Sequence, residues 1–162
     1  MIPREELLKE KSQSMLIAMI YAEIYSRVRQ KFDQETAAEK LKEFGKRIAR
    51  SYYEYYKPSK SSISGIAREL SDKIGGMKKI KLKKLDDGFS ISSNDCPLCV
   101  PEITIEGLHY CYPTMGILEE YLNLIIRDNP RKFRYERVIG SVVQSKSCGA
   151  EICEYRYKLI EK

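Results

Sequence analysis

The spacing of apolar residues changes character half-way along this chain. Across residues 4–30 they recur at Leu8, Met15, Met19, Ala22 and Tyr25, intervals of three, four or seven that set them on one helical face. Asp33 suits the N-cap of a second helix with a stripe of Leu41, Phe44, Ile48, Tyr52 and Tyr55, stopped by Pro58 and the serines behind it. A shorter third helix gathers Ile63, Ile66, Leu70 and Ile74 and ends at Gly75-Gly76. Beyond that point the period falls to two. "KIKLKKL" and "FSIS" alternate apolar with polar on either side of Asp86-Asp87-Gly88, which predicts a hairpin.

A brief "ITI" at 103–105 precedes a late helix that starts at Thr114 or Gly116. It carries Ile117, Leu118, Tyr121, Leu122 and Ile125 and ends at Asp128-Asn129-Pro130. Two closing strands follow, over 132–144 and 154–160; in the second, Tyr155, Tyr157 and Leu159 point one way. Helices, hairpin, helix, hairpin is the order of an α+β fold, with N-terminal helices packed on one face of an antiparallel sheet of four or five strands. A chain of 162 residues can bury one such core, so we expect a single domain: a helical layer over 1–76, then sheet, late helix and site over 77–162.

Composition narrows the function classes. The apolar share of 43% is ordinary for a globular chain, and the net charge of +6 permits an anionic partner without demanding one. The longest apolar run, Met15–Ala22, is too short to cross a bilayer. Glu5, Glu6 and Glu10 before it, with no small-residue cleavage site after, argue against a signal peptide, so a cytoplasmic protein is expected. "GKRIAR" around Gly45 is no phosphate loop, and no glycine-rich dinucleotide fingerprint occurs.

The chemistry sits in the cysteines. All five fall late: Cys96 and Cys99 in "CPLC", Cys111 in "HYCYPTMG", and Cys148 and Cys153 in "SCGAEIC". On the predicted elements these are the end of the first hairpin, the start of the late helix and the turn of the last hairpin. If the hairpins are neighbours, all five thiols can meet at one edge of the sheet. A Cys-x-x-Cys knuckle offers two sulfurs to one ion, and ligands from distant loops can close a tetrahedron. In a reducing compartment an odd set of clustered thiols favours a metal over disulfides. Zinc held by Cys96, Cys99, Cys111 and Cys153 is the expectation, with Cys148 as substitute and His109, the single histidine, in reserve. An iron–sulfur cluster would take the same thiolates, and cysteines also occur as plain small core residues.

Three motifs resemble those of the 4-vinyl reductase domain family. "CYPTMGILEEYL" (Cys111–Leu122) resembles its Cys-x4-Gly-x-Leu-Glu segment. "CGAEICEYRYKL" resembles its closing Gly-x3-Cys-x-Phe strand, with Tyr155 in the Phe place. "CPLC" resembles the pair found in archaeal members described as hydrocarbon-binding proteins. The helical half is similar to the wider fold shared with the TRAPP vesicle-tethering subunits. The resemblance implies a metal-bearing module that encloses a small hydrophobic or aromatic molecule, as sensor or carrier, with Cys111 and Cys153 among the zinc ligands. Where the family has a further Cys and a Glu, this chain has Ser145 and Val142.

A ligand space would be lined by Ile117, Tyr121 and Ile125 of the late helix and Tyr155 and Tyr157 of the last strand, near His109, and closed by Tyr52, Tyr55 and Tyr56; plain core packing is the competing use of each tyrosine. Alternative roles are a TRAPP-like dimeric scaffold or adaptor, pairing as a homodimer through Met15, Leu16, Met19 and Ile20, and an enzyme on a vinyl-bearing tetrapyrrole-like substrate. A nucleic-acid role would use Lys79, Lys81 and Lys83, whose ordinary use is to protect a strand edge.

Overall fold

The computed structural model describes residues 20–99 and 108–162. Its elements follow the predicted order: α1 (20–31), α2 (Gln34–Tyr55), α3 (Ile63–Lys73), β1 (Lys81–Leu85), β2 (Gly88–Ser93), α4 (Tyr112–Asp128), β3 (Tyr135–Gln144), a 3-10 turn at Lys146–Cys148, and β4 (Cys153–Glu161). Leu8, Met15, Leu16, Met19 and the "ITI" segment lie outside the described residues. The architecture is α+β, with a four-stranded antiparallel sheet in the order β1-β2-β4-β3. The hairpins are neighbours because β2 pairs with β4, setting Ile91 opposite Tyr155 and Phe89 opposite Tyr157.

Local chemistry fixes the helix starts. Asp33 accepts from the Thr36 backbone N–H at 2.9 Å and from its hydroxyl at 2.8 Å, satisfying an orphan donor at the head of α2. Ser62 caps α3 by accepting from Gly65 N at 3.2 Å. Between these helices Glu69 anchors the loop, accepting from Ser59 N at 2.9 Å, Lys60 N at 3.1 Å and the Tyr56 hydroxyl at 2.7 Å.

The buried face of α2 differs from the predicted stripe. Ala37, Leu41, Gly45 and Ala49 face inward, whereas Phe44 is 43% exposed, Tyr52 50% and Tyr55 85%. The cause is a close helix contact. A Cβ on Gly45 would stand 2.0 Å from the Pro113 carbonyl oxygen, and one on Gly116 would stand 2.3 Å from that of Lys42. Backbones this near admit only small residues between them, so Phe44, Tyr52 and Tyr55 of the stripe turn outward, while Leu41 stays buried and Ile48 packs at the margin of the core.

α4 begins at Tyr112, ahead of the predicted start, with Pro113 tolerated in its first turn. Twelve of its 17 residues are buried, on all sides. Such a helix is enclosed: α4 packs between α2 and the sheet. Glu119, 4% exposed, ties the three layers together. Its carboxylate meets Lys42 Nζ at 2.7 Å and Lys46 Nζ at 3.0 Å, and accepts from Gly140 N of β3 at 2.6 Å.

Candidate metal centre

Each cysteine is delivered by a different piece of local structure. Pro97 and Leu98 occupy the centre of a tight turn closed by Cys99 N donating to the Cys96 carbonyl at 3.2 Å; proline pre-sets the backbone of such turns. Cys111 is the N-cap of α4, where the helix dipole favours negative charge. Cys153 opens β4, paired with Ser93 at the end of β2. The β3–β4 connection folds back over it, with Lys146 N directed at Cys153 Sγ at 3.5 Å.

The sulfurs of Cys96, Cys99 and Cys153 lie within 4.8 Å of one another, and Cys99 and Cys153 approach to 3.3 Å. Cys111, also buried, interacts electrostatically with all three but is not one of that set. All four are buried. A tetrahedral zinc with sulfurs at about 2.3 Å spaces them by roughly 3.8 Å, so the three clustered thiols of Cys96, Cys99 and Cys153 could hold such an ion. The Tyr155 hydroxyl adds a contact to Cys96 Sγ at 3.6 Å.

The thiols titrate as one unit. Cys96 is held well below the usual thiol range by the S–H groups of Cys111, Cys153 and Cys99. Cys111 is pushed up by its contacts to Cys153, Cys96 and Cys99 and by burial. At Cys99 the Cys111 contact opposes the change, but Cys153, Cys96 and burial outweigh it and raise the thiol. Cys153 falls, chiefly through Cys111. The set holds charge on some sulfurs at the expense of others. Complete ionisation of four buried thiols requires a cation.

Two sequence candidates stand apart from this group. Cys148 is exposed at the end of the 3-10 turn. His109 is half-buried but turned to a hydroxyl chain: its Nδ1 lies 2.7 Å from Ser145 Oγ, which lies 2.9 Å from Ser147 Oγ, and that oxygen accepts from Tyr110 N at 3.1 Å. Burial lowers the His109 pKa, favouring the neutral ring. Neither serine was singled out as a functional residue from the sequence. A serine in a cysteine-rich turn carries no periodic signal, although Ser145 holds a place where the resemblance expected a ligand.

The expected pocket residues are dispersed. Tyr121, Tyr155 and Tyr157 are fully buried and Ile117 is 8% exposed. Tyr157 stacks on Phe89 at 5.2 Å, and Tyr121 meets Tyr53 edge-on, also at 5.2 Å. The Tyr121 hydroxyl donates to the Tyr56 carbonyl. Tyr56 is half-buried, and Tyr52 and Tyr55 lie on the solvent side of α2. An aromatic cluster of Tyr21, Tyr25 and Tyr110, of which the hydrophobic pattern disclosed Tyr25 alone, joins α1 to the site. The Tyr21 hydroxyl donates to the Tyr110 carbonyl at 2.5 Å and that of Tyr25 to the Leu108 carbonyl.

A trafficking protein particle complex subunit 3 from Naegleria fowleri, solved covalently bound to palmitic acid, superposes on this chain with a TM-score of 0.75. The match covers 93% of this chain and 97% of that one, at 16% sequence identity. The fold is TRAPP-like. At that identity the TRAPP likeness speaks for architecture alone. Neither a family model nor a curated protein matches the sequence. Among the described residues, no helix of this TRAPP-like fold is long and apolar enough to cross a membrane.

Proposed function

We propose that this chain is a non-catalytic assembly module: a TRAPP-like scaffold whose sheet end is pinned by zinc and whose helices pair with a second copy. The carrying observation is the buried cluster of Cys96, Cys99 and Cys153, with Cys111 buried next to it, within a fold similar to a trafficking-complex subunit. Cys96, Cys99, Cys111 and Cys153 hold the ion. Four thiolates close its coordination and leave no position for substrate, which is the pattern of a structural centre. Ile20 and Ile24 on α1 and Phe44 on α2 stay 52%, 38% and 43% exposed. They supply the apolar surface for pairing, in line with the expected homodimer through the N-terminal helices. Light scattering coupled to size exclusion tests this: a dimer that Ile24→Glu dissociates supports it, and a strict monomer at all concentrations refutes it.

A second reading has one specific observation behind it. The Tyr157 hydroxyl is fully buried with no hydrogen-bond partner among the described residues, and such groups are rare without a partner. A hydrophobic ligand with one polar atom, held between α4 and the sheet near Met115, would satisfy it. The fold neighbour carries palmitic acid, and the 4-vinyl reductase-like motifs agree with a sensor or carrier. Native mass spectrometry decides: a retained small molecule supports the carrier role, and a bare zinc-loaded chain leaves the scaffold.

A further inference from the structure

The outward face of the sheet has no helix of the described residues upon it, and its register shows what it presents. Lys83 of β1 pairs with Ser90, Ser90 with Arg156, and Arg156 with Ser141, so these four side chains cross the sheet in one row. The next row outward runs through Lys158 and Ile139, and Lys81 stands two residues before Lys83 on the same face. Ile139 and Val143, on that face of β3, remain 40% and 53% exposed. The face is therefore a field of cations and small hydroxyls with two bare aliphatic side chains at one margin.

Acidic groups offset it only in part. Arg156 donates to Asp87 at 3.0 Å, and Glu154 is occupied by Gln144 at 3.1 Å. Among the described residues, Lys81, Lys83, Lys158 and Arg137 form no ion pair. The corner beside β1 extends the field. Residues 57–84 contain nine basic residues against two acidic ones, Glu69 and Asp72, an excess larger than the +6 of the entire chain. Of those two acids, Glu69 is committed to its loop.

Lysines on an edge strand serve to block strand pairing, which accounts for β1. It does not account for Arg156 and Lys158, because β4 lies inside the sheet. A single-stranded nucleic acid would call for stacking aromatics among the cations, and the exposed large hydrophobic residues on this face are aliphatic. A protein partner would be expected to find an aromatic anchor or pocket. A broad face of cations with aliphatic side chains at its margin suits a surface of anionic headgroups over an apolar layer.

We propose that the outer sheet face, with the β1 corner, docks on an anionic lipid bilayer, Lys81, Lys83, Arg156 and Lys158 meeting headgroup phosphates and carboxylates while Ile139 and Val143 enter the interface. The inference goes beyond the scaffold reading, since a monomer would dock equally.

The test is co-sedimentation of the full chain with vesicles of phosphatidylcholine plus phosphatidylserine, and of phosphatidylcholine alone. Binding is expected to the mixed vesicles only and to weaken with salt. Lys83→Gln and Lys158→Gln should each reduce partitioning roughly fivefold, the value of about one surface charge, while Lys40→Gln on α2 leaves it unchanged. Ile139→Ser should weaken binding without altering the salt dependence. All four side chains are solvent-facing, and matching thermal melts establish that the variants fold. Equal binding to both vesicle types, no binding to either, or indifference to both lysine variants overturns the proposal. So does salt-sensitive capture of single-stranded RNA or a polyglutamate peptide in place of vesicles.

Discussion

Removing the Glu119 carboxylate should loosen three layers at once. In Glu119→Ala, Lys42 and Lys46 lose their anion and Gly140 N–H of β3 loses its acceptor. Breaking a fully buried ion pair costs about 3–5 kcal/mol. Here the two lysine side chains are 23% and 24% exposed and can turn to water, which lowers that figure. The buried N–H cannot, and an unsatisfied donor costs about 1–3 kcal/mol. The expected loss is therefore about 3 kcal/mol, or a melting point lower by roughly 6–12 °C in a domain of this size. Glu119→Gln keeps an acceptor for Gly140 and should lose about half as much. Urea unfolding monitored by circular dichroism measures both, with an unchanged slope confirming that stability alone has moved. A loss below about 0.5 kcal/mol in Glu119→Ala would refute the view that this carboxylate joins α2, α4 and β3.

Two further perturbations probe the elements around the site. Gly45→Ala would ordinarily gain up to about 1 kcal/mol in a helix, but its Cβ would meet the Pro113 carbonyl at 2.0 Å; a net loss of roughly 2 kcal/mol is expected, and stabilisation would contradict the close α2–α4 contact. Glu69 is held down to about 2 by the Ser59 backbone N–H, the Tyr56 hydroxyl and the Ser59 hydroxyl. A lowered carboxylate stabilises the fold above its unfolded pKa of about 4.3, and the contribution disappears as pH falls towards 2. Solvent contact limits it to about 1 kcal/mol. Glu69→Gln should lose that much at neutral pH, with the gap to the parent closing through this acid range; a gap constant with pH would dispose of the argument.

What could be read in the chain, and what could not, separates along physical lines. Period two, period 3.6 and the Asp-Gly turn are local signals, so the helices, hairpins and α+β order were legible, as was Asp33 as a cap. The convergence of Cys96, Cys99 and Cys153 was also legible, because each lies at the end of a predicted element. The inward face of α2 was legible only in part, at Leu41 and Ile48. It is chosen by backbone contact through Gly45 and Gly116, which hydrophobic spacing cannot register. Glu119 entered only as the Glu of the Cys-x4-Gly-x-Leu-Glu resemblance, and its tie to Lys42 and Lys46 could not be read because those partners are far away in sequence. The serines that hold His109 were equally silent: only the fold of the β3–β4 connection brings Ser145 and Ser147 to it.

The most direct test of the zinc-pinned sheet end is the metal content of the purified chain beside Cys99→Ser and Cys148→Ser, by native mass spectrometry with elemental analysis. One zinc per chain is expected in the parent and in Cys148→Ser, and none in Cys99→Ser, which should also melt at lower temperature. A parent free of metal, or a Cys148→Ser variant that loses zinc as fully as Cys99→Ser does, would contradict the four-cysteine centre.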